Sequence, residues 1–163
     1  MTTKADFTDE EWMRLKRAPF VAGMAITLSD PGGPIELVHE TAATVKVVAN
    51  AASQADRGDL VTALAGEVAG ESHKHHNPLG DFKPRGALAG QQILEELAAV
   101  NATVSAKASA DDADAYRAWL QDAAREAADA AKEGGFMGFH AVRVSEGEQR
   151  MLDKLAETLA PPA

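Results

Sequence analysis

Residues 109–135 read SADDADAYRAWLQDAAREAADAAKEGG, and this stretch decides the fold class. "SADD" caps a helix, with acidic residues at the positive end of its dipole. Tyr116, Leu120, Ala123, Ala127 and Ala131 then recur every three or four residues, which places them on one face as far as Lys132. Gly134 and Gly135 stop the helix. A stripe this rich in alanine lets a neighbouring helix approach to about 8 Å, the low end of the usual range. It therefore calls for helical neighbours.

The sequence supplies them on both sides. A helix over 86–107 carries Ile93, Leu97, Val100 and Val104 on one face. Upstream, Pro34 opens a long helix to about Ser53. Its seam is read as Ile35, Val38, Ala42, Val45, Ala49 and Ala52, widened by Leu37, Thr41 and Val48. A shorter helix is expected over 60–68. At the N-terminus, "FTDEEW" makes a capping box of Thr8 and Glu11, with Phe7 and Trp12 as the hydrophobic staple. Pro19 is expected to break this helix, so that a second, core-buried helix runs over 19–28. Ser145 and Glu148 cap a final helix to about Leu159. The segment "FMGFHAVRV", 136–144, has no helical pattern and reads as an extended strap. The expected fold is an all-α, single-domain bundle over 1–163, with six or seven helices and this strap before the last.

Composition narrows the function. Hydrophobic residues are 45% of the chain and aromatics 5%, with alanine, the strongest helix former, dominant. The formal net charge is −9 and the pI is near 5.0. That balance argues against nucleic-acid binding, which relies on basic faces. Arg14, Lys16 and Arg17, and later Lys83 and Arg85, read as solvated surface. There is no cysteine, so disulfides and thiol chemistry drop out. The longest apolar stretch, "APFVAGMAITL", falls short of a membrane span, and "MTTKADFTDEEW" is too polar for a signal peptide. The expected location is the cytoplasm.

The candidate chemistry is mostly imidazole. "ESHKHHNPLGD", 71–81, gathers His73, His75 and His76, whose nitrogens suit a divalent transition metal, with Glu71 and Asp81 nearby as oxygen donors. Glu36 and His39 form Glu-x-x-His, half of a ferritin-like di-metal signature. Both fall on the polar arc of the helix over 34–53, where a site shared across an oligomer interface is the way to use them. Nothing in the sequence requires a cofactor. "GGFMGF" follows a helix rather than preceding one, so it reads as a C-cap and not a phosphate loop. His140 in the strap reads as packed or exposed. The acidic pairs Glu95–Glu96 and Asp111–Asp112 read as exposed or helix-terminal residues serving capping and solubility.

The stretch "YRAWLQDAAREAADAAKEGGFMGFHAVRVSEGEQRMLDKLAETL" and the N-terminal "FTDEEWMRLKRAPFVAGMAITLSDPGG" resemble the two ends of an uncharacterised bacterial family of small all-helical proteins. Met137 and His140 stand where that family has leucine and glycine. The acidic turn before a helix and the late "VSE" cap are also similar to TerB-type tellurite-resistance domains. The resemblance implies a helical bundle and brings no catalytic residues. Three functions follow from the residues. The first is a non-catalytic interaction or stress-associated module that binds a protein partner or itself. The second is a metal-binding protein using the histidine cluster. The third is a binder of a small apolar ligand, with a pocket under the 19–28 helix lined by Phe20, Met24 and Trp119.

Overall fold

The structure, a computed structural model, describes residues 1–29, 34–72, 77–133 and 144–162. The side chains of 34–42, 55, 72 and 131–133 also lie outside that description. Over the described residues it is an all-α bundle of six helices: α1 Asp9–Ser29, α2 Pro34–Ala52, α3 Asp59–Ser72, α4 Ala89–Lys107, α5 Ala110–Glu133 and α6 Glu146–Thr158. Single 3-10 turns at Lys4–Asp6, Ala55–Arg57 and Gly86–Leu88 lead into α1, α3 and α4. Among the described residues there is no strand. The expected strap lies outside them, apart from Val144, which is partly buried against the core.

α5 is the hub. It packs against α1, α2, α3, α4 and α6. The reason is its width of buried surface: Ala113, Tyr116, Trp119, Leu120, Ala123, Ala124, Ala127 and Ala128 are all removed from solvent. The face is broader than a single stripe, and its alanines let several helices meet it. α4 contributes Ile93, Leu97, Val100 and Val104, as its periodicity predicts.

Pro19 does not end α1. The helix runs through it from Asp9 to Ser29. Proline has no N–H to give the carbonyl four residues back, that of Leu15. The hydroxyl of Tyr116, wholly buried on α5, donates to the Leu15 carbonyl at 2.9 Å. A tertiary contact thus supplies the donor that the proline removed. The start of α1 follows its sequence signal. Thr8 N donates to Glu11 Oε2 at 2.7 Å, Glu11 N donates to Thr8 Oγ1 at 3.2 Å, and the Phe7 and Trp12 rings lie 5.8 Å apart.

α2 corrects the expected seam. Over its described side chains Thr44, Val48 and Ala51 are buried, whereas Val45 is 43% exposed and Ala49 is exposed. Thr44 faces Gly23 of α1, where a Cβ would collide with its hydroxyl. The close approach of the two helices brings a polar residue inward and turns Val45 out.

Buried polar residues fasten the ends. Asp112 accepts from Thr2 N at 3.0 Å, Ser109 Oγ at 2.8 Å and Leu60 N at 3.3 Å, joining the N-terminus and the start of α3 to α5. Burial pushes its carboxyl up, but these bonds outweigh burial and hold it below the ordinary aspartate value. Asn101 donates to the carbonyls of Thr158 and Ala160, at 3.0 and 2.8 Å, and accepts from Arg117 Nε at 2.8 Å. That links the end of α6 to α4 and α5. Asp112 is therefore a helix-terminal residue, as its position predicts, but a buried junction as well.

A candidate ligand cleft beside a buried ion-pair network

Residues 13, 16, 17 and 20 share one face of α1, spaced three and four apart. Opposite them lie Val68 and Glu71 of α3 and the turn at 77–81. Together they line an open cleft of about 500 Å³. Met13, Phe20, Val68, Pro78 and Leu79 make its apolar surface, and Lys16, Arg17, Glu71 and Asp81 its charged one.

The turn is braced by its own residues. Leu79 N donates to Asn77 Oδ1 at 3.1 Å, Asn77 Nδ2 donates to Gly80 O at 3.2 Å, and Gly80 N donates to Asn77 O at 3.0 Å. Gly80 takes φ +59°, a left-handed conformation that glycine adopts without strain. This geometry directs Leu79 and Phe82 onto the core and leaves Asp81 beside α1.

The cleft wall rests on ion pairs. Arg14 Nε and Nη2 donate to Glu96 Oε1 and Oε2 at 3.1 and 2.6 Å. Arg17 Nε and Nη2 both donate to Glu96 Oε1, at 3.1 and 2.8 Å. The third Arg17 nitrogen, Nη1, donates to Asp81 Oδ1 at 2.8 Å, and the guanidinium lies 5.2 Å from the centre of the Phe82 ring. The Glu96 side chain is only 9% exposed. Burial pushes its carboxyl up, but the two arginines outweigh burial and hold it below the usual glutamate range. It is a fixed anion that clamps both guanidinium groups.

A second set continues along α1. Lys16 Nζ donates to Glu71 Oε1 at 2.6 Å and lies 3.6 Å from Glu67 Oε2. Glu67 also accepts from Trp12 Nε1 at 3.0 Å and from Lys4 Nζ at 3.1 Å. Burial raises its carboxyl too, and these donors again win, leaving it below the ordinary value. Arg14, Lys16 and Arg17 are thus partnered by carboxylates rather than solvated, which corrects the expectation for this basic cluster. Glu96, expected on an exposed face, is buried.

The predicted site residues are distributed as follows. His73, His75 and His76, and His140, lie outside the described residues. Glu36 and His39 fall within α2, and their side chains lie outside the description. Among the described residues no group of three or more histidine, aspartate or glutamate side chains is placed to hold a metal ion. Phe20 lines the cleft, but Met24 and Trp119, expected with it around a pocket under the 19–28 segment, are not part of this lining. Trp119 is fully buried in the core and Met24 packs partly buried against it.

Arg14, Arg17, Asp81 and Glu96 were not singled out as a set by the sequence. One signal was present. Glu96 lies three residues after Ile93 and four before Val100, on the apolar face of α4. A carboxylate at such a position needs a cationic partner. No family model, curated protein or solved structure matches the chain. Among the described residues no helix is long and apolar enough to cross a membrane.

Proposed function

We propose that the protein is a non-catalytic helical binding module, and that the cleft between α1, α3 and the 77–81 turn takes a small ligand with a largely apolar body. The observation that carries this reading is the cleft itself. Its volume of about 500 Å³ falls in the range of small-molecule sites, and its walls combine apolar side chains with a few fixed polar groups. Its charged residues are engaged with one another, so they brace the walls and orient a ligand without serving as free acids or bases.

Among the described residues a broad protein-docking patch has less support. Apart from Met1, the exposed large apolar residues Met13 and Leu28 are both on α1, fifteen positions and so about 22 Å apart along its axis. Val45 and Leu88 lie on other elements. Of these, Met13 alone lines the cleft.

Calorimetric titration with decan-1-ol, an uncharged probe, tests the reading. One saturable site is expected, and Val68→Phe, which fills the apolar wall, is expected to weaken it about tenfold, or about 1.4 kcal/mol. Equal binding by the variant, or no saturable site for any apolar probe of this length, would sink the proposal.

A further inference from the structure

The ion-pair network has one partner unlike the rest. Lys4, Arg14, Lys16 and Arg17 face Glu67, Glu71, Glu96 and Asp81, four cations against four carboxylates. Three of those carboxylates stand on helices α3 and α4. The fourth, Asp81, stands on the turn and its side chain is 92% exposed. Among the described residues it makes a single polar contact, with Arg17 Nη1 at the edge of the cleft. The Arg17 side chain is only 14% exposed, and Glu96 holds its other two nitrogens. An exposed carboxylate gains little from such a pair, because water competes for both partners. The arginine, by contrast, is fixed whether or not Asp81 stays.

We infer that Arg17 Nη1 is the anion seat of the cleft, and that the ligand is an apolar monocarboxylic acid whose carboxylate takes the place of Asp81. The inference rests on the cleft being a ligand site. Charge complementarity selects the class. With Asp81 swung into solvent, Arg17 Nη1 has no carboxylate partner among the described residues, and it stands beside the apolar surface of Met13, Phe20, Val68 and Leu79. One carboxylate fills that single donor position. A neutral ligand must leave Asp81 in place and gains nothing from Arg17. Asp81 is then an internal competitor that occupies the seat when no ligand is bound.

Decanoate and decan-1-ol, titrated side by side in low-salt buffer at neutral pH, separate the two ideas. The wild-type chain is expected to bind decanoate more tightly than decanol. Asp81→Ala removes the competitor at an exposed turn position. It is expected to tighten decanoate by about three- to fivefold, the scale of an exposed ion pair, and to leave decanol unchanged. Arg17→Met, with Arg14 still holding Glu96, is expected to abolish the preference for the acid. Decanol binding with no preference for decanoate, and no gain from Asp81→Ala, would overturn the anion seat and leave the cleft reading standing. Failure of both probes to bind would overturn both.

Discussion

Tyr116 shows what one hydroxyl does in this fold. Its donation to the Leu15 carbonyl replaces the helical bond that Pro19 does not make. Burial pushes the phenol far above its ordinary value, so it stays protonated and remains a donor throughout the accessible pH range. Tyr116→Phe leaves that carbonyl without its tertiary donor inside the core. It is expected to cost about 1–3 kcal/mol, the penalty for an unsatisfied buried polar group. A double-mutant cycle makes the claim specific. Pro19→Ala restores an N–H in register with Leu15, so in that background Tyr116→Phe should cost distinctly less. Chemical denaturation of the four proteins checks it, and an unchanged cost would show that the tyrosine does not compensate for the proline.

Among the elements, most helices were legible because periodicity and caps agree. The Thr8–Glu11 and Ser145–Glu148 boxes both form, and the α4 and α5 apolar faces are buried where their spacing puts them. Two elements depart from their sequence pattern for tertiary reasons. Pro19 reads as a break until a tyrosine ninety-seven residues on is known to face it. α2 has apolar residues on more than one face, so its phase is set by the Gly23–Thr44 contact and not by its own pattern. The same lesson predicts the behaviour of two helical glycines. In α3, a Cβ on Gly70 meets nothing within 4 Å among the described residues, so Gly70→Ala should stabilise by up to about 1 kcal/mol through helix propensity. In α6, a Cβ on Gly147 falls 2.7 Å from the backbone oxygen of Ser29 at the end of α1. Backbone cannot swing aside like a side chain, so Gly147→Ala should destabilise by about 1–3 kcal/mol despite the same propensity gain. Thermal melts of the two variants should move in opposite directions; a Gly147→Ala melt at or above wild type would refute the close contact.

On the scale of the whole molecule, α1 divides the protein's work. Its apolar face joins the core around α5, and its basic face carries the cleft wall. The cleft was only partly legible in the sequence. Phe20 reads as a pocket residue, but the basic residues read as solvated surface, because the carboxylates they meet lie fifty-one to eighty-two positions away. The resulting network has a signature in acid. Glu96, Glu67 and Asp112 all titrate below their ordinary values in the folded protein. The unfolded chain therefore binds protons first, near the ordinary 4.5 and 3.8. Their stabilisation is present above those values and is lost as pH falls through the lower, folded ones. Glu96 gives the clearest case, because it clamps two arginines from a buried position. Glu96→Gln keeps its shape but leaves both guanidinium groups without their anion, and should cost about 3 kcal/mol at pH 7. That cost must shrink as pH falls below the ordinary glutamate range, because the wild-type carboxyl loses the same charge. Urea unfolding of both proteins from neutral pH into acid measures the difference directly. If it stays constant down to full protonation of the carboxylates, the charge on Glu96 does not hold α1 to α4. If it closes, the cleft wall is an electrostatic structure, and its integrity depends on the same carboxylate that fixes Arg17.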